Sequence, residues 1–190
     1  MEPNKIPVFS YYRAPIENIL PDREINLLQA YRLIRGRDFS EQTAFLRSIS
    51  NDAEARGYKA ANFDYVTFSG VFFRRNDQSL MQHSGLLTLD FDHLKDVAGL
   101  KSGLLHDEYF ETELLFVSPS GTGLKWIISI DLDKGTHAEW FRAVSQYIRT
   151  TYRLETDKTG VNPSRACFLP ADPDVYINPK MLVKVSKKLK

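Results

Sequence analysis

The sequence predicts an α+β domain, with a mixed or antiparallel sheet flanked by helices. Segments of helical period and segments of strand period are grouped along the chain instead of strictly alternating, which argues against a doubly wound sheet. Two helical stretches come first, and aromatic and β-branched residues then dominate from Phe63 onward. With 190 residues and 43% hydrophobic content, the chain can bury one substantial core. The expected organisation is a single domain over residues 1–180, helical up to residue 60 and a sheet core from 61. A basic tail or linker at 181–190, with Lys184, Lys187, Lys188 and Lys190, is expected to follow.

Pro7 to Tyr12 reads as a first strand. A helix is expected from Pro21-Asp22, with Ile25, Leu28, Tyr31 and Ile34 at helical spacing and Gly36 as its end. A second helix, capped by Ser40 and running to about Ala55, places Phe45, Ile49 and Ala53 on one face and Gly57 at its exit. Phe63 to Phe68, Val71 to Phe73 and Gly85 to Asp92 read as strands, and a weak helical stretch spans Leu94 to Leu105. Leu114–Val117 and Leu124–Ile130 flank the turn Pro119-Ser120-Gly121-Thr122-Gly123 and predict a hairpin. Thr136-His137-Ala138-Glu139 is a capping box that opens a helix with Phe141, Val144 and Ile148 on one face. Short strands near Ala166–Leu169 and Val175–Ile177 complete the pattern.

Composition excludes several classes. No stretch approaches the roughly 20 apolar residues of a membrane span, and the first five residues lack a signal-peptide core, so a cytoplasmic protein without a membrane partner is expected. The single cysteine, Cys167, excludes an internal disulfide and a multi-cysteine zinc cage. A net charge of +1, from 25 basic and 24 acidic side chains, gives no global field towards polyanions. The four histidines lack metal-ligand spacing, and no Ser-His-Asp or Cys-His arrangement has local support.

Three clusters carry chemistry. In Leu86-Leu87-Thr88-Leu89-Asp90-Phe91-Asp92 the strand period puts Leu87, Leu89 and Phe91 on one face and Thr88, Asp90 and Asp92 on the other. Two carboxylates roughly 7 Å apart repel each other unless a cation sits between them, and magnesium or manganese takes oxygen ligands of this kind. In Ser118-Pro119-Ser120-Gly121-Thr122-Gly123-Leu124-Lys125, hydroxyls, glycine amides and a lysine can hold an anion. This is not a P-loop, because the spacing is short and strand pattern follows. In the third cluster, Asp157 can complete a carboxylate trio, and Arg165 can pair bidentately with phosphate. A second Asp-x-Asp, Asp131-Leu132-Asp133, precedes the capping box and reads as a polar loop.

These clusters, with Ser69-Gly70-Val71-Phe72, His83 to Leu94 and Asn162 to Phe168, resemble the N-terminal domain of VirE-like (virulence-associated E) proteins over about residues 60 to 180. That family is associated with mobile elements, often with a helicase-like region following, and is similar to the archaeo-eukaryotic primase-polymerases. The resemblance implies an RRM-like catalytic core with an N-terminal extension. It implies metal at Asp90, Asp92 and Asp157, with Glu155 as the fallback third acid. It also implies triphosphate at Ser118, Ser120, Gly121, Gly123, Lys125 and Arg165, and DNA, including single strands, as a partner. Lys125 stands where that superfamily has histidine. The expected function is metal-dependent nucleotide binding and nucleotidyl transfer; the alternatives are an inactive nucleotide or single-strand binding module and, less well supported, a nucleotide-sugar glycosyltransferase.

Overall fold

The computed structural model describes residues 6–186. Strand β1 (Val8–Tyr12) pairs antiparallel with β2 (Arg23–Asn26) and with β3 (Tyr65–Thr67), and β9 (Cys167–Phe168) joins the far side of β3. A second antiparallel sheet has the order β10-β7-β8-β6, from β6 (Leu86–Phe91), β7 (Thr112–Val117), β8 (Leu124–Ser129) and β10 (Tyr176–Ile177). A small ribbon pairs β4 (Gly70–Phe72) with β5 (Leu80–His83). The architecture is α+β with antiparallel sheets and helices, as expected of the class.

The second sheet is covered on both faces. Leu86, Leu114, Phe116 and Ile127 pack against Phe9, Tyr11 and Val66 of the first sheet, against Phe68 just after β3, and against helix α1 (Leu27–Arg35). On the opposite face Leu87, Leu89, Phe91, Trp126 and Ile128 lie under α4 (Val97–Leu105) and α5 (His137–Tyr152). Double coverage explains why these strands read as nearly continuous apolar runs, with each buried large side chain contributing about 1.5–3 kcal/mol. It also means that a charged residue on the inner face is enclosed by protein.

The N-terminal third departs from expectation at its boundaries. The segment expected to begin a helix at Pro21 first forms β2, which buries Ile25, and the helix starts only where Asn26 and Gln29 make a reciprocal capping box. The expected helix from Ser40 to Ala55 is two helices, α2 (Ser40–Ser48) and α3 (Asp52–Asn62). Asn51 divides them, its side chain accepting the N–H groups of Ala53 and Glu54, and Gly57 lies inside α3 instead of ending a helix. Phe45, expected on one helix face with Ile49 and Ala53, is 53% exposed and rests on Tyr58.

Elsewhere the expected capping box at Thr136 and Glu139 is present in both halves. Helix α6 (Pro179–Ser186) occupies the start of the segment expected to be a tail, while Lys187, Lys188 and Lys190 lie outside the described residues. Among the described residues no helix is long and apolar enough to cross a membrane.

Candidate metal and phosphate site

Asp90 is the last inward-facing residue of β6, directly opposite Lys125 on β8, and the two form an ion pair. Their side chains are only 12% and 11% exposed, because the face that carries them is closed by the first sheet. Burial raises the Asp90 carboxyl above the ordinary carboxylate range, Asp92 adds to the rise, and Lys125 opposes it. For Lys125 burial is the largest single influence and acts downward, but the charge of Asp90 and its hydrogen bond, with Asp92 and Cys167, together hold the ammonium above the ordinary lysine range. The buried Oδ1 of Asp90 has no hydrogen-bond partner among the described residues.

Two segments complete the site. β6 is an edge strand, and the backbone N–H of Asp157 donates to the carbonyl of Asp90 at 2.9 Å. This bond brings the loop after α5 against the strand end. Ligand oxygens of Asp90, Asp92 and Asp157 then lie within 4.8 Å of one another. Partial burial acts upward on Asp157, but hydrogen bonds from Thr159 and the charges of Arg165 and Lys125 hold it below the ordinary range. Arg165 donates to Asp157 at 2.6 Å and stands 4.0 Å from Asp90. Glu155 instead pairs with Arg149 on the surface, at 2.7 and 3.0 Å, which removes it as the third acid.

The Ser118–Lys125 segment is a tight turn beside Asp92. Ser118 N–H donates to Gly123 O and Gly121 N–H to Ser118 O, both at 2.9 Å. The Gly121 amide is therefore engaged within the turn, which corrects its expected role as an anion donor. Gly121 supplies the positive φ of 83° that the turn requires. At Gly123 a Cβ would stand 2.3 Å from the carbonyl oxygen of Phe91 and 3.4 Å from Oδ1 of Asp92, so only glycine lets the turn approach the acidic strand end. The hydroxyls of Ser118, Ser120 and Thr122 form a chain, at 3.0 and 3.3 Å. Leu94 N–H donates to Thr122 O at 2.8 Å, after the chain reverses at His93 with φ 53°.

The model of the BT4734-like N-terminal domain matches residues 58–177. The chain belongs to that family. The match corrects the expected membership of the VirE-like domains and their primase-polymerase relatives. The span recognised as BT4734-like begins just before Lys59 and ends at Ile177 in β10, so it contains all three carboxylates, the glycine turn and Arg165. No curated protein and no solved structure matches the chain.

Sequence reading missed Lys59 of α3. Its ammonium lies 5.6 Å from the centre of the Phe168 ring and within electrostatic reach of Lys125, Asp90, Asp92 and Arg165. Burial, with the charge of Lys125, lowers its pKa. No motif surrounds it, and helix periodicity gives no sign that α3 ends over this site.

Proposed function

We propose that this domain binds a nucleoside triphosphate through Mg2+ or Mn2+ and catalyses nucleotidyl transfer, with DNA as acceptor. The observation that carries the reading is the convergence of Asp90, Asp92 and Asp157 within 4.8 Å. The orphaned Oδ1 of Asp90 fits it, since a buried carboxylate oxygen left unpaired is costly unless something else binds it. The donors are all hard oxygens, the set these ions prefer, and opposite ligands at about 2.0–2.6 Å from a cation span about 4 to 5 Å. The chain order β6, α4, β7, β8, α5, β10 resembles that of an RRM-like core, but β9 intervenes in the other sheet and β10 joins β7, which leaves β6 at an edge, so the topology lends this reading no support.

Asp90, Asp92 and Asp157 would hold divalent ions, which would supply neutralisation of phosphate charge and activation of an oxygen nucleophile. The protein's own part is positioning. Arg165 presents a planar fork suited to a phosphate, Lys125 supplies a point charge, and Ser120 and Thr122 offer hydroxyl donors at the mouth. Lys125 and Arg165 stand beside the three carboxylates as the cations of the site. One observation favours the second reading, a binding module without turnover: Lys125 already neutralises Asp90, so the strand end is stable without an ion.

The test is calorimetric titration of Mn2+, with and without a non-hydrolysable nucleotide, into wild type and the Asp90→Asn/Asp92→Asn variant, whose fold is checked by circular dichroism. Loss of Mn2+ and nucleotide binding in a folded variant is expected, and unchanged affinity rejects the site. Template-directed incorporation with either metal decides between enzyme and binding module.

A further inference from the structure

We propose that Lys59 is a phosphate-binding residue of this site, a third cation for the ligand beside Lys125 and Arg165. The inference rests on the metal-nucleotide reading above and adds a wall to the site that comes from α3, outside the second sheet. Lys125 pairs with Asp90 and Arg165 with Asp157. Lys59 makes no ion pair among the described residues; its half-buried ammonium lies near the face of Phe168, on the strand that follows Arg165. Holding a lysine there costs desolvation and repulsion from two neighbouring cations, which an unused surface lysine would escape by turning to solvent. Charge balance says what would offset that cost. Three carboxylates match the three cations Lys59, Lys125 and Arg165, so each divalent ion taken up leaves a double positive excess. A polyphosphate is the ligand class that cancels it.

The experiment uses Mn2+ alone and inorganic tripolyphosphate with Mn2+ as probes, on wild type, Lys59→Met and Lys59→Arg. Methionine keeps an unbranched apolar stem for packing, and thermal melting confirms each variant is folded. Lys59→Met is expected to weaken tripolyphosphate binding about tenfold, the effect of losing one charge-assisted contact. It should leave Mn2+ affinity unchanged or slightly tighter, and Lys59→Arg should stay within about threefold of wild type. Tripolyphosphate affinity within about twofold of wild type in Lys59→Met overturns the inference while leaving the metal site standing, provided Asp90→Asn/Asp92→Asn abolishes Mn2+ binding. An equal loss of Mn2+ affinity in Lys59→Met also overturns it, because the lysine then acts on the carboxylates. Failure of wild type to bind tripolyphosphate in the presence of Mn2+ overturns both readings.

Discussion

The two ends of β6 solve the problem of buried polarity in opposite ways. At the far end Asp90, Lys125, Asp157 and Arg165 meet as charges, with one carboxylate oxygen left over. At the near end the polar groups are neutral or satisfied locally. Gly85 N–H donates to Nδ1 of His83, which fixes that ring's proton on Nε2, where it meets Nδ1 of His137 at 3.0 Å; Nε2 of His137 in turn donates to Gly160 O. Ile130 N–H donates to Gly85 O, and Asp131-Leu132-Asp133 follows directly. Asp131 accepts from the N–H of Asp133 at 3.1 Å, pairs with Lys134 at 3.7 Å and gives its carbonyl to Trp140. Two Asp-x-Asp segments, one at the end of β6 and one in the turn after β8, thus share a spacing and differ in burial and partners. A carboxylate pair becomes a candidate site when burial leaves it unsatisfied, and a turn when its own backbone satisfies it.

Lys125 separates the two ends of β6 most sharply. Lys125→Met leaves the Asp90 charge enclosed without its counter-ion and should cost about 3–5 kcal/mol in urea unfolding, whereas Asp90→Leu/Lys125→Met should recover most of that loss. A single variant that costs under about 1 kcal/mol would mean the far end is solvated like the near one. The next largest contrast is in metal binding. Asp92→Asn/Asp157→Asn keeps the central ion pair and should weaken Mn2+ binding about 10- to 100-fold, while Asp131→Asn/Asp133→Asn should not change it.

The near end should reveal itself by pH. Burial, with the neighbouring His137, pushes His83 down from 6.5 to about 4, and burial also lowers His137. A depressed histidine pKa means the unfolded chain takes up protons first. Stability is therefore complete above pH 6.5 and falls as the pH drops towards about 4, by about 1–2 kcal/mol once water's screening is allowed for. Melting curves across that window should be flatter for His83→Gln, and an unchanged slope would remove the neutral-pair description. The smallest effect belongs to Asp131→Ala, which loses only a turn contact and an exposed ion pair and should shift stability by about 0.5 kcal/mol or less.

Alternation in Leu86 to Asp92 placed Asp90 on its true face, and the glycine turn and the capping box were readable because their chemistry is local. The long-range pairs were harder. Lys125 was expected beside phosphate from its place after the turn, yet the register of β6 on β8 sets it against Asp90. Asp157 was found as a residue but not as a position, because what carries it is a backbone bond to an edge strand and not an apolar strand of its own. Lys59 was invisible, since nothing within α3 says what lies beyond its last turn. The helix boundaries at Asn26 and Asn51 were missed although both asparagines are good caps, because the apolar spacing through Ile25 and Ile49 continues the helical pattern past them.

The chain from Asp157 to Gly160 is tied at one end to the Asp90 carbonyl and at the other to the His137 ring. Such a strap along a sheet edge can come away without unzipping β6 from β8, so its opening is a local event of much lower free energy than global unfolding. Amide exchange at Asp157 should accordingly be faster than at the β6–β8 ladder. The third carboxylate then joins and leaves the other two on its own clock, making assembly of the full acidic trio a reversible motion of one short segment over a fixed sheet.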